Sequence, residues 1–304
     1  MKKKVLLLVV RILGALLLMM ITAVAAFLII NRTNGTLISS GEKRTYLLYV
    51  PKSYDPTRPT PLIISIHGFA EWPAHQAQIS RWNDLADQHG FIVVYPAGTD
   101  FPLHWRTRGD ALPEQDPRLD VQFITDLIDK LEGAYNIDPA RIYANGLSNG
   151  GGMSFVLSCR LSERIAAVGM VAGAYVYPWE QCQPARLVPA ILFHGTADPI
   201  VPYQGGPSRS FDLPFPAIPD FAVELARRNG CADAPQEIPP SGAVSGLRWT
   251  GCKADVIFYT VAGGGHSWPG GVPLPEFITG PTSQDIDATR VMWEFFSAHP
   301  LTGR

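Results

Sequence analysis

The sequence predicts an α/β fold: a mostly parallel central sheet with helices on both faces. Strand-like and helix-like segments alternate along the chain, the pattern of strands joined by crossover helices. Several strand-like segments are apolar at every position, as in a sheet covered on both sides. The 304 residues are 46% hydrophobic and 17% charged, which supplies the core such a fold needs and excludes a disordered chain.

The first element is an apolar helix. Lys2, Lys3 and Lys4 precede Val5–Val10, and after Arg11 the 19 residues Ile12–Ile30 are apolar apart from Thr22. As a helix they would span about 28 Å, close to the roughly 30 Å hydrocarbon core of a bilayer. A cleaved export signal has a shorter apolar core, about 7–15 residues. Cutting after Ala23-Val24-Ala25-Ala26 would also leave Phe27–Ile30 on the new N-terminus. Residues 1–30 therefore read as one transmembrane helix with its lysines inside and the rest of the chain exported. If the segment is cut, the protein is secreted. Asn31–Gly41 is polar and turn-rich and reads as a linker, leaving residues 42–304 as one domain.

In that domain Tyr46–Val50, Leu62–Ile66, Phe91–Tyr95, Arg141–Ala144, Ala166–Val171, Ala190–Phe193 and Val256–Val261 read as strands. Between them Arg81–Gln88, Val121–Tyr135, Asn149–Leu161 and Pro219–Arg228 read as helices, and Asp285–Ala298 as a closing helix. Val121, Ile124, Leu127, Ile128 and Leu131 recur at helical spacing and make theirs the clearest amphipathic helix. Asp120, just before it, reads as a cap. Ser241–Gly246 and Pro202–Pro219 read as surface loops.

Charge excludes one class of partner. Without Lys2, Lys3, Lys4 and Arg11 the chain holds 21 basic and 27 acidic residues, which leaves no electrostatic footprint for nucleic acid. Cys159, Cys182, Cys231 and Cys252 suit an oxidising compartment and allow three pairings, and four free thiols remain an alternative. No Cys-x-x-Cys pair is present and the histidines are scattered, so no metal site is expected.

The chemistry gathers at three strand ends. Arg141–Asn145 reads as a strand, Gly146-Leu147-Ser148-Asn149-Gly150 follows at once, and a helix comes next. This is a nucleophile elbow: the turn is so sharp that a side chain at either glycine would strike a neighbouring strand or helix. The elbow lifts the Ser148 hydroxyl to the sheet's C-terminal edge and aims a helix N-terminus at the reacting carbonyl. A nucleophilic serine needs a base, and the base an orienting acid, here expected later in the chain in that order. Asp198 follows the strand Ala190–Phe193, and His266 follows Val256–Val261 in a glycine-rich loop. The backbone N–H groups of Asn149 and of Phe69, in the loop after Leu62–Ile66, are expected to form the oxyanion hole. His67 and His194 read as loop-holding residues, and Trp268 as a wall of the substrate pocket.

The segments Phe91–Pro96, Gly146–Gly151, His194–Asp198 and Gly264–Gly270 together resemble the polyhydroxybutyrate-depolymerase/feruloyl-esterase family of secreted α/β-hydrolases. The resemblance runs from about Tyr46 to the C-terminus. It implies hydrolysis of carboxylic esters through Ser148, Asp198 and His266, with no metal or organic cofactor. The Cys231…Cys252 spacing resembles a family disulfide. A Cys159–Cys182 bond would brace the nucleophile helix against the acid loop. The partners expected are a small or oligomeric ester and the membrane, and the chain is expected to be a monomer. A serine peptidase of prolyl-oligopeptidase type shares the elbow, but it usually carries a large extra domain. A non-catalytic surface binding module would break the triad, and all three members are present.

Overall fold

The structure is a computed structural model that describes residues 2–30, 32–111, 113–208, 214–232 and 234–302. Residues 209–213 of the expected loop Pro202–Pro219 lie outside them. The chain opens with α1 (Lys2–Ile30), within which Leu7–Phe27 is long and apolar enough to cross a membrane. Next come β1 (Gly35–Ser39), β2 (Glu42–Tyr49), β3 (Thr60–Ile66), α2 (Pro73–Ser80), α3 (Trp82–His89) and β4 (Ile92–Pro96). The centre holds α4 (Arg118–Glu132), β5 (Ile137–Leu147), α5 (Asn149–Arg160), β6 (Val168–Val171) and β7 (Ala190–Gly195). After the two-residue strands β8 (Gly206–Pro207) and β9 (Pro214–Phe215) follow α6 (Ile218–Arg228), β10 (Gln236–Ser241), β11 (Val244–Trp249) and β12 (Val256–Val261). The short α7 (Glu276–Thr279) and α8 (Ala288–Ala298) end the fold.

Among the described residues ten strands form one sheet in the order β1-β2-β4-β3-β5-β6-β7-β12-β11-β10. The run from β4 to β12 is parallel, and an antiparallel pair extends it at each side. Strand alternation divides the core in two. Leu62, Ile64, Ile92, Val94, Ile142 and Leu192 face one way and pack beneath α4, α5 and α6. Ile63, Val93, Tyr95, Tyr143, Ile191 and Phe193 face the other way beneath α2, α3 and α8. This is why β3 is buried at every position. Each such Leu, Ile or Phe contributes about 1.5–3 kcal/mol by leaving water.

Three stretches differ from the sequence expectation. Residues 35–39, expected within the linker, form β1 against β2, and a Cβ at Gly35 would sit 2.2 Å from the Tyr46 ring. Only residues 31–34 remain between helix and sheet. Ser241–Gly246, expected as a surface loop, lies within the hairpin β10–β11, because the open edge of β12 offers unpaired backbone groups. Pro239 and Pro240 are tolerated there since β10 is the outermost strand, and its register shifts at them, between Ile238 and Ser241. α2 had no clear periodic signal; Pro73 opens it.

Asp120 is not a cap. It lies in the first turn of α4 and is fully buried, and its Oδ1 takes Arg44 Nη2 at 2.9 Å. Its Oδ2 accepts the Arg106 N–H at 3.0 Å, and Arg106 Nη1 stands 3.5 Å from Oδ1. One carboxylate thus joins strand β2, the 97–107 loop and α4.

Both disulfides, Cys159–Cys182 and Cys231–Cys252, are formed. The first ties the end of α5 to the segment leading to β7. The second fastens the end of α6 to the segment leading into β12.

Removing a single partner from a buried ion pair leaves an uncompensated charge, so Asp120→Ala should lower unfolding free energy by about 3–5 kcal/mol in urea titration. Glu294→Ala, which breaks the exposed pair with Arg290, should cost under about 1 kcal/mol. Equal midpoints for the two variants would contradict the structural weight given to Asp120.

Candidate active site

Ser148 stands between β5 and α5 with φ 57° and ψ −118°, a strained backbone for a non-glycine residue. The glycines around it allow that turn. A Cβ at Gly146 would lie 2.4 Å from the Gly150 carbonyl carbon, and one at Gly150 would lie 2.2 Å from Ile66 O. Ser148 N–H donates to Val171 O at 2.9 Å, and Ser148 O accepts from Ala174 N–H at 2.9 Å, so backbone on the β6 side holds the elbow.

The loops after β7 and β12 leave the same sheet edge, because β5, β6, β7 and β12 are parallel. They are pressed together: a Cβ at Gly195 would lie 2.1 Å from Gly264 O, and Ala197 N–H donates to Gly264 O at 2.9 Å. This brings His266 Nδ1 to 2.7 Å from Asp198 Oδ2. Asp198 Oδ1 accepts the N–H groups of Ile200 and Val201, each at 2.8 Å. Burial alone would raise the Asp198 pKa; the adjacent His266 and His194 outweigh it and hold the carboxyl below the ordinary range. An ionised acceptor at Nδ1 places the His266 proton there and leaves Nε2 as the basic nitrogen.

The two other strand-end histidines hold loops. His194 Nε2 lies 3.0 Å from Val201 O and 3.2 Å from Asp198 Oδ2. His67 donates from Nδ1 to Gly68 O at 2.7 Å, and its Nε2 accepts the Gly98 N–H at 2.9 Å. Burial lowers the His67 pKa from 6.5 to about 4, so it is neutral.

The loop after β3 lies over the serine, with a Gly68 Cβ position 3.4 Å from Ser148 Cβ. The amides flanking Phe69 are engaged: Gly68 N–H donates to Glu71 Oε2 and Ala70 N–H to Leu103 O, both at 2.8 Å. Burial would raise the Glu71 pKa, but His75 and the Gly68 N–H keep it lowered and the carboxylate charged. Glu71 drew no notice in the sequence because its partner is a backbone amide. Asn149 opens α5, and its side chain reaches across to the 105–107 loop. Its Oδ1 accepts Trp105 N–H at 2.7 Å, and its Nδ2 donates to Trp105 O at 3.0 Å.

A cavity of about 150 Å³ opens here, walled by Phe69, His104, Trp105, Arg108, Asn149 and Phe215 among others. Trp268 is not in that wall. It is 1% exposed, packs in the α2–α8 core and donates from Nε1 to Thr289 Oγ1 at 2.9 Å. After His266 the chain turns onto that face, where Ala288 N–H bonds Pro269 O at 3.0 Å.

The chain is similar to known esterases. The family model for esterase PHB depolymerase matches residues 44–183. An Aspergillus niger protein named "Probable feruloyl esterase C" is 30% identical over 266 residues, 84% of each chain. The chain belongs to the PHB-depolymerase/feruloyl-esterase family. These PHB-depolymerase-type esterases are carboxylic ester hydrolases of α/β-hydrolase fold. The chain is also 33% identical over 164 residues, 54% of its length, to the bifunctional acetylxylan esterase/xylanase XynS20E of Neocallimastix patriciarum. It spans only 23% of that protein. Among solved structures, the acetyl xylan esterase from Aspergillus awamori superposes with a TM-score of 0.61 at 16% identity, over 86% of this chain and 98% of that one.

His67 and Asp198 lose stability to acid in successive pH windows. The folded His67 resists a proton that the unfolded chain accepts, so stability falls as pH drops from 6.5 toward 4, by at most about 3 kcal/mol. Asp198, depressed in the fold, contributes fully above the unfolded carboxylate pKa, about 3.9, and loses its share only below it. Urea titrations at pH 7, 5.5 and 4.5 should show the first loss, and a flat profile would contradict it.

Proposed function

We propose that the chain is a serine esterase that works through an acyl-enzyme, with Ser148 as nucleophile, His266 as base and Asp198 as orienter. The observation that carries this reading is the 2.7 Å His266–Asp198 hydrogen bond on the same sheet edge as the strained Ser148. His266 Nε2 takes the Ser148 proton as Oγ attacks the ester carbonyl. The N–H groups of Asn149 and Phe69 receive the negative charge on the carbonyl oxygen. His266 then protonates the leaving alcohol, and water, deprotonated by the same nitrogen, releases the acid and frees Ser148.

Acetyl, feruloyl and short hydroxyalkanoate esters are the proposed substrates. The named relatives favour the first two, and a cavity of about 150 Å³ suits a compact acyl group better than a polymer strand. The apolar α1 and the two disulfides fit an exported, extracytoplasmic protein. α1 is proposed to stay as a membrane anchor for a monomeric domain.

Ser148→Ala should remove ester hydrolysis across a panel of p-nitrophenyl, acetyl-sugar, feruloyl and hydroxybutyrate esters while leaving thermal unfolding unchanged. Asp198→Asn should lower kcat by about 10⁴-fold, because the amide favours the wrong imidazole tautomer. More than about a tenth of the wild-type rate in either variant would move the chemistry to other residues. On fractionation the protein should stay with membranes in high salt and leave them in detergent. Recovery of a soluble chain starting near Ala26 would replace the anchor with a cleaved signal.

A further inference from the structure

The connection between helix and domain is too short to let the domain drift from the bilayer. α1 runs to Ile30, and Asn34 is already part of the sheet edge. Its N–H donates to Tyr46 O at 3.1 Å, its Nδ2 donates to Leu48 O at 2.8 Å, and its Oδ1 accepts Leu48 N–H at 2.7 Å. The four steps from Ile30 to Asn34 reach at most about 14 Å. Tyr46 pairs with Pro96 at the C-terminal end of β4, so this corner of the domain adjoins the edge that carries Ser148.

Aromatic side chains gather at that corner. Phe27, at the outer end of the apolar span, meets Trp72 with ring centroids 6.3 Å apart. Both line a cavity of about 880 Å³ together with Ala70, Phe101 and Leu103. Phe101 is 93% exposed at the tip of a small hairpin. Thr99 and His104 close that hairpin with two backbone bonds of 2.9 and 3.1 Å. Its base is tied to the β3 loop by Gly98 N–H to His67 Nε2 and by Ala70 N–H to Leu103 O. A phenyl ring on so braced a tip has little order left to lose when it enters a bilayer interface, and nothing in the domain covers it. Aromatic rings at the headgroup level are the usual anchors of membrane proteins. The charges around the cavity, Glu42, Lys43, Arg44, Glu71 and Asp100, are of both signs, so attachment here is by apolar insertion rather than attraction to anionic lipid.

We propose that Phe101 and Trp72 seat this corner of the domain on the outer face of the bilayer that α1 spans, so that esters dissolved in the membrane interface reach Ser148 directly. The proposal rests on α1 being retained as an anchor.

The test uses the full chain in phosphatidylcholine vesicles with and without brominated acyl chains. All seven tryptophans lie outside α1, so any quenching by the lipid reports the domain. Brominated lipid should quench part of the emission, and Trp72→Phe should remove the quenchable part. Phe101→Asp, with Phe101→Ser as a second variant, should cut quenching by at least half. The two Phe101 variants should hydrolyse vesicle-dissolved hexadecyl acetate, a compact acyl group on a membrane-embedded alcohol, at least about fivefold more slowly, with p-nitrophenyl acetate unchanged. Wild-type emission indifferent to bromination, or Phe101 variants identical to wild type, would overturn the docking while flotation still shows the anchor holding. Loss of the protein from the vesicles in high salt would overturn the anchor, and the docking with it.

Discussion

The contact on which the site depends is the close approach of the elbow to the end of β3. Gly146 and Gly150 bring two backbones nearer than any Cβ allows, with Gly150 set against the Ile66 carbonyl. That approach forces Ser148 into its strained conformation, since the chain must reverse from strand to helix within one residue. It also sets the loop 67–70 beside the serine, because that loop begins where β3 ends. The position of one candidate oxyanion donor, Phe69, and the placement of the serine at the sheet edge thus follow from one steric fact. Strain of this kind persists only where its surroundings over-determine it. Here the Val171 carbonyl, the Ala174 amide and the two-sided core beneath β5 do so.

The other wall of the cavity is held by charge. Asp120 binds Arg44 from β2 and Arg106 from the 97–107 loop, and Arg44 also stacks over the Phe123 ring with its guanidinium carbon 4.0 Å from the centroid. Trp105, next to Arg106, receives the Asn149 side chain and donates from its indole to His67 O at 3.1 Å. Such a network rigidifies its loop, whereas apolar side chains in place of Asn149 and Asp120 would leave the backbone amides of Trp105 and Arg106 without partners.

How much of this the sequence revealed depends on the range over which each signal acts. The elbow was legible because its residue signature lies within five consecutive residues. Asp198 and His266 were legible because each follows an apolar strand directly, so strand order alone brings them to one edge. β1 and the β10–β11 hairpin were not, because their pairing is dictated by open edges of β2 and β12 and their own residues are short of strand formers. Asp120 looked like a cap because its partner Arg44 is 76 residues away. Trp268 was misplaced because nearness to His266 along the chain says nothing about which face a side chain enters. Its indole fills the α2–α8 core instead.

Asp198 shows why two histidines at strand ends hold different roles. One carboxylate oxygen is taken by the Ile200 and Val201 amides, and the other faces both His266 Nδ1 and His194 Nε2. His194 is 1% exposed, its Nε2 is already turned to the Val201 carbonyl, and its buried Nδ1 has no hydrogen-bond partner. Burial shuts that nitrogen off from any substrate, and the part of His194 is to keep the acid loop closed around Asp198. His266 commits only Nδ1 and sits on a glycine-rich loop packed backbone to backbone against the acid loop. The same carboxylate therefore uses one imidazole as a strut and orients the other, and what separates the two is which ring nitrogen the fold leaves uncommitted.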